Sequence, residues 1–180
     1  VRSELAVPSP DPPLGLDADL RPEGRQGPLV RTLGSYRAYY QRFSSPWEAQ
    51  ALLRARPLLG DADLAEEFMA VVDEQRYPID GPSEAALREM RRLKARMESE
   101  RLPRGADPRL NTKLGPGGVS DVEWIVQALQ WRLAGAKPEL RTTSTLAALE
   151  SLRADGSVAD ADAAALLAAW RMASSVRNAI

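Results

Sequence analysis

The sequence predicts a mainly α chain, a scrap of antiparallel sheet followed by a mostly helical body. Three observations predict it. Leu14, Leu16, Ala18 and Leu20 alternate with Gly15, Asp17 and Asp19, the period of two of a strand with one apolar face. From Ser35 onward, apolar residues recur at spacings of three and four, the period of a helix. Serine, threonine and aspartate stand where those helical runs begin, with Pro and Gly where they stop.

In order, Pro8, Pro10, Pro12 and Pro13 lead into the first expected strand, and Arg21 to Pro28 reads as a turn. Leu29 to Leu33 is a second expected strand. Tyr36, Tyr39, Tyr40, Phe43 and Trp47 fall at helical spacing, which points to inward packing rather than to a base-stacking platform. Ser45-Pro46-Trp47-Glu48 starts a helix expected to run to about Arg56, with serine as cap, proline first and glutamate three residues after the cap. Asp63-Leu64-Ala65-Glu66 reads as another capping box. Ser83 opens a longer helix with Leu87, Met90, Leu93 and Met97 as its stripe, and its basic residues from Arg88 to Arg96 read as a solvated face paired with Glu84, Glu89, Glu98 and Glu100. Residues 103–118 form a loop, and the next helix carries Val122, Ile125, Val126, Leu129 and Leu133. Thr143 and Ser144 cap a short helix that Asp155-Gly156 breaks. A last helix carries Leu166, Leu167, Trp170, Ala173 and Val176.

Composition narrows the chemistry. The 180 residues suit one domain or the joined parts of two. With 44% hydrophobic and 27% charged residues, the balance is that of a soluble globular protein. The formal net charge of -1 argues against wholesale binding of nucleic acid. Cysteine and histidine are both absent, so disulfides, thiolate metal sites and the usual general base are excluded. Acid-base or metal chemistry must use Asp, Glu, Lys, Arg or Tyr. The missing disulfides fit the cytoplasm, and no apolar run reaches the length of a membrane span. Both ends, Val1-Arg2-Ser3 and Arg177-Asn178-Ala179-Ile180, read as cuts in a longer protein.

Three constellations bear on function. Asp17-x-Asp19 puts two carboxylates on one strand face, where both can approach a divalent cation; a polar strand face in water is the commoner meaning of that spacing. Arg21, Arg25 and Arg31 surround a turn with Gly24 and Gly27, which suits phosphate or pyrophosphate and equally suits loop charge paired with Glu23. Lys113-Leu114-Gly115-Pro116-Gly117-Gly118 precedes a helix N-terminus, where free N–H groups favour an anion. Ser120-Asp121-Val122-Glu123 reads there as a capping box whose acids already compensate the dipole.

Taken together and in order, these segments resemble one family. Leu16-Asp17-Ala18-Asp19-Leu20-Arg21-Pro22-Glu23-Gly24 comes first, then Gly27-Pro28-Leu29-Val30. Trp47-Glu48-x-Gln50-Ala51-Leu52-Leu53-Arg54-Ala55-Arg56 follows. Lys113-Leu114-Gly115-Pro116-Gly117-Gly118-x-x-Asp121-Val122-Glu123 comes last. The chain is similar from about Leu14 onward to glutamine synthetase adenylyltransferases, which add and remove AMP on a tyrosine of glutamine synthetase. The segment Glu98 to Pro108 and the Asp19 variant look like the C-terminal, adenylylating half of the actinobacterial type.

The resemblance implies a fold: the end of a nucleotidyltransferase (polymerase β-like) palm sheet with its first helices over residues 1–60, and a helical bundle domain over 61–180. It also implies a site. Asp17 matches the third metal carboxylate of the palm, and no Gly-Ser motif bearing the first two precedes it. Asp19 stands where the family has arginine, which leaves it as a second metal ligand or a solvent-facing acid. Arg21 matches the later arginine of that motif. Magnesium and ATP are the implied cofactor and substrate. Arg21, Arg25, Arg54 and Lys113 are the candidates for phosphate contacts, with Gly117 and Gly118 approaching the nucleotide. Asp121 and Glu123 would organise those cations. The implied partners are glutamine synthetase and a PII-type regulator, with no nucleic acid or membrane. Catalysis is expected to belong to the longer parent chain. Two alternatives stand beside this: the half that removes AMP by phosphorolysis, and a helical module that docks glutamine synthetase or the regulator.

Overall fold

A computed structural model describes residues 17–102, 105 and 107–179. The first half of the expected first strand, Leu14 to Leu16, lies outside the described residues, as do Pro103 and Arg104. The chain divides into two compact units, Val1–Ser44 and Ser45–Ile180.

In the first unit, the described chain begins as a tight loop and ends in a helix. Asp17 Oδ1 accepts the Asp19 N–H at 2.8 Å, which turns the backbone at once. Pro22 is fully buried, and Glu23 takes a left-handed φ of 64° ahead of a single 3-10 turn, Gly24–Gln26. Gly27 is required by close packing: a Cβ there would lie 2.1 Å from the Pro22 carbonyl oxygen. Helix α1, Leu33–Arg42, starts where the Thr32 hydroxyl accepts the Ser35 N–H.

Neither expected strand forms among the described residues. Asp19 and Leu20 lie in turns, and Leu29 and Val30 are 72% and 86% exposed. An alternating segment becomes a strand only with a neighbour for its backbone, and none is present among the described residues. Leu33 goes instead to the helix that Thr32 caps. The aromatic stripe is also less internal than expected. Tyr40 is buried against Tyr36 and Tyr39, with ring centroids 6.0 and 5.6 Å away, but Phe43 is 69% exposed. Trp47 belongs to the other unit.

The second unit is a bundle of six helices among the described residues: α2 (Pro46–Leu52), α3 (Ala62–Arg76), α4 (Glu84–Glu100), α5 (Val119–Leu133), α6 (Thr145–Ala154) and α7 (Asp160–Asn178). Local chemistry sets most starts. Ser45 and Glu48 form the expected capping box, and the hydroxyls of Ser83 and Ser144 accept the N–H groups of Ala86 and Ala147. Three boundaries differ from expectation. Helix α2 stops at Leu52 rather than near Arg56, because buried Arg76 donates from Nη1 to the carbonyl oxygens of Leu52 (3.1 Å) and Ala55 (2.8 Å) and holds that end. Asp61, not Asp63, caps α3, accepting the Leu64 N–H at 2.9 Å. Helix α5 begins at Val119, so Ser120 is buried inside its first turn and forms no capping box.

Helix α5 packs on α6 and α7, while the short α2 packs on α3, α4 and α5. The core between them is apolar, with Leu53, Val122, Val126, Leu140 and Leu152 all essentially inaccessible. Arg141 closes α5 as Arg76 closes α2, donating to the carbonyls of Ala134 (2.8 Å) and Gly135 (2.9 Å). Tyr77 lies between both guanidiniums, 4.8 and 5.0 Å from its ring.

Candidate functional site

The sequence-predicted site residues fall into three local groups, one in the first unit and two in the second. In the first, Asp17, Asp19, Arg21 and Arg25 share one loop. Arg25 Nε donates to Asp19 Oδ2 at 2.8 Å, and Arg21 Nη1 lies 3.9 Å from Asp19 Oδ1. Asp19 is therefore bracketed by two guanidiniums, which is poor preparation for a divalent cation. Asp17 is exposed and makes no ion pair with a described residue, so it is the carboxylate of the two that suits a metal. Arg21 is turned inward, donating to the carbonyls of Ala18 (2.6 Å), Gly27 (2.9 Å) and Arg25 (3.2 Å). It shapes the loop. Arg25 is exposed, and its hydrogen bond to Asp19 raises its pKa further. Arg31 pairs with Glu23 and stacks on Tyr39, and its buried Nε meets no acceptor.

The second group centres on Arg54, just past α2. Its guanidinium donates to Gln130 Oε1 (3.3 Å), the Thr143 carbonyl (3.1 Å) and the Thr145 hydroxyl (2.9 Å). Burial lowers its pKa, with nearby Glu123 working in the opposite sense. Gln130, wholly buried, also donates to the carbonyls of Leu140 and Thr142, each at 2.9 Å. Arg54 thus ties α2 to α5 and to the start of α6.

The third group is the glycine loop. The Asn111 side chain accepts the N–H groups of Lys113 and Leu114, folding the loop back. A Cβ on Gly115 would lie 1.9 Å from the Pro108 oxygen, and one on Gly118 would lie 2.8 Å from the Thr112 oxygen. The glycines permit backbone to pack on backbone. The amides at the start of α5 are all engaged within the chain: Gly117 with Asp121 Oδ2 at 2.7 Å, and Gly118, Val119, Ser120 and Asp121 with the carbonyls of Gly115, Thr112, Lys113 and Gly118. In this conformation none is open to a phosphate. Lys113 is exposed and forms no ion pair among the described residues.

The structure also adds residues that sequence reasoning placed elsewhere. Lys94, expected on a solvated face, is largely buried and bonded to both Glu98 and Asp121. Burial pulls its pKa down, but the bonds to Asp121 and Glu98 outweigh this and leave it raised. Asp121 therefore joins α4 to the loop amide of Gly117. The rest of the basic face is exposed as expected. Gln130 had one available signal, an amide set among the apolar residues of α5. Among the described residues no group of three or more acidic side chains is arranged to hold a metal.

Comparison with known proteins gives the class first. Residues 1–71 match the family model of glutamate-ammonia ligase adenylyltransferase, and residues 85–180 match that of GlnD PII-uridylyltransferase. The chain is 58% identical, over its whole length, to the bifunctional glutamine synthetase adenylyltransferase/adenylyl-removing enzyme of Streptomyces coelicolor. It is 56% identical over 98% of its length to the Mycobacterium leprae protein of that name, and 57% identical over its whole length to the Mycobacterium tuberculosis one. The chain belongs to this adenylyltransferase family, with residues 85–180 falling in the GlnD PII-uridylyltransferase family. It spans 18% of the length of these relatives.

Proposed function

We propose that this chain is a segment of the adenylylating half of an enzyme that transfers AMP from ATP to a tyrosine of glutamine synthetase. The observation that carries the reading is the Asp17 loop, which offers one exposed carboxylate beside a cationic side chain in a chain 58% identical to a named adenylyltransferase. In this reading residues 1–60 contain the end of the catalytic palm with its first helices, of which α2 packs into the second unit, and residues 61–180 make up the rest of the helical domain. Asp17 is a metal ligand, and Arg25, on the same loop, is the side chain that meets phosphate. Arg21 and Arg54 hold the scaffold, and Gly117 and Gly118 shape the loop that carries Lys113. Magnesium, when bound, neutralises charge on the nucleotide phosphates; Asp17 alone cannot hold it, so further carboxylates must come from the rest of the parent protein.

The relatives' name includes AMP removal, which favours a second reading in which the segment belongs to the adenylyl-removing half. The GlnD PII-uridylyltransferase match supports a PII-type regulator as a second partner beside glutamine synthetase. No helix among the described residues is long and apolar enough to cross a membrane. Independently of that, the proposed reaction with ATP and glutamine synthetase assigns the protein to the cytoplasm. Full-length protein, with the half lacking this segment inactivated, is to be incubated with glutamine synthetase and labelled ATP. Transfer of AMP supports the adenylylating reading. Phosphate-dependent release of AMP from modified glutamine synthetase, without transfer, would replace it with the second.

A further inference from the structure

Helix α4 carries Arg88, Arg91, Arg92, Lys94 and Arg96, with Glu89 the one acid in that stretch. The structure sorts these cations. Lys94 lies on the inward side, where Glu98 and Asp121 hold it. Arg88, Arg92 and Arg96 stand at i, i+4 and i+8, which places them in one row along the outer face. At the rise of a helix, successive members of the row are about 6 Å apart. All three are exposed, as are Ala85, Ala95 and Ser99, small residues on the same face that leave the row unobstructed. The pairing expected with Glu84 and Glu89 does not form among the described residues. Arg88 and Arg92 make no ion pair there, and Arg96 comes only within 3.9 Å of Glu100, with both side chains largely exposed. Like charges one turn apart destabilise a helix. Helix α4 does not need them to fold, because Ser83 caps it and Leu87 and Met90 anchor it in the core.

We propose that the row Arg88, Arg92 and Arg96 docks an acidic helix of a separate protein, whose carboxylates at i, i+4 and i+8 face the three guanidiniums. The repeat of such a helix equals that of the row, and each arginine fork matches one carboxylate. The surroundings favour this occupant over a nucleic acid. By helical spacing Glu84 and Glu89 fall on opposite flanks of the row, and both are exposed, so the positive strip is narrow. A single line of carboxylates fits between those acids. A nucleic-acid backbone, with charge spread over a broader front, meets them as well and is repelled.

The test uses the full-length protein and fluorescently labelled, alanine-rich synthetic helices of about 18 residues. One peptide bears glutamates at i, i+4 and i+8. A second has the same composition with its glutamates spread around the helix, and a single-stranded oligonucleotide is the third probe. Anisotropy at low salt should show saturable binding of the first peptide, at least about fivefold tighter than that of the second. The double variant Arg88→Gln, Arg92→Gln should weaken it at least about tenfold. Arg171→Gln, Arg177→Gln, which removes the same charge from α7, should change it less than about twofold. Unchanged circular dichroism would show that the variants fold. Binding of neither peptide, equal binding of both, affinity untouched by the first double variant, or equal loss in the two double variants overturns the proposal. So does tighter binding of the oligonucleotide that Arg88→Gln, Arg92→Gln abolishes, because the row then serves phosphate. Self-association that the same variant dissolves overturns it too, because the occupant is then a second copy. A cross-link from Arg92→Cys to another part of the same polypeptide does so likewise.

Discussion

Arg54 donates to the Thr145 hydroxyl at 2.9 Å, joining residues 91 positions apart. The same guanidinium serves Gln130 and the Thr143 carbonyl, so three acceptors at the α2–α5–α6 junction depend on one side chain. Arg54→Ala should therefore destabilise the second unit by about 2–3 kcal/mol, because it strands partly buried acceptors. At this chain length that lowers the melting temperature by roughly 4–12 °C. Arg54→Lys should recover less than half, since one ammonium cannot span the three positions. Calorimetry decides it: an unchanged melting temperature in Arg54→Ala would remove the scaffold role and return Arg54 to the phosphate candidates.

The glycines divide by what surrounds them. Gly115→Ala puts a Cβ 1.9 Å from a backbone oxygen and should cost about 3 kcal/mol or more. Gly34 lies in α1 with nothing within 4 Å of its Cβ position, so Gly34→Ala should stabilise by about 0.5–1 kcal/mol. Denaturant unfolding of the two variants should give shifts of opposite sign.

Asp121 links Lys94 to the Gly117 amide, so Asp121→Ala should free that amide while leaving most of the core intact. Hydrogen exchange should speed up at Gly117 and its neighbours by about tenfold, with global stability falling by only about 1 kcal/mol. Exchange unchanged at Gly117 would show that the loop holds itself through Asn111 and its own carbonyls.

The pH dependence has a defined sign at two pairs. Lys137, then Ser157, bond the Asp155 carboxylate and depress its pKa below the ordinary 3.8. The stability this gives is present above 3.8 and is lost as the pH falls through the depressed folded value. Lys94 is raised above 10.5, so its contribution is complete below that pH and is lost as the pH rises through the folded value. Asp155→Asn should flatten the acid limb of a stability–pH curve and leave the alkaline limb alone, with Lys94→Met doing the reverse.

Much of the helical unit was legible because its punctuation is local. Ser45, Ser83 and Ser144 cap helices through atoms within three residues, and Asp155-Gly156 ends one. What was hidden depends on distant partners. Arg76 ends α2 from 21 to 24 residues away, and Lys94 finds Asp121 27 residues on. An expected strand such as Leu29–Leu33 needs a neighbour to pair with, and local sequence says nothing about whether one is there. In the site, Asp-x-Asp and the glycine run were visible as residue types. Bonding separated Asp17 from the arginine-bracketed Asp19, and showed that the α5 amides are already engaged.

AMP transfer by full-length protein carrying Asp17→Asn tests the central claim most directly. With glutamine synthetase and labelled ATP, transfer should fall at least about a hundredfold while the melting temperature stays unchanged, as expected for loss of a metal ligand. Asp19→Asn should fall much less, because Asp19 faces guanidiniums. Transfer by Asp17→Asn within a few-fold of the unaltered protein would contradict the assignment.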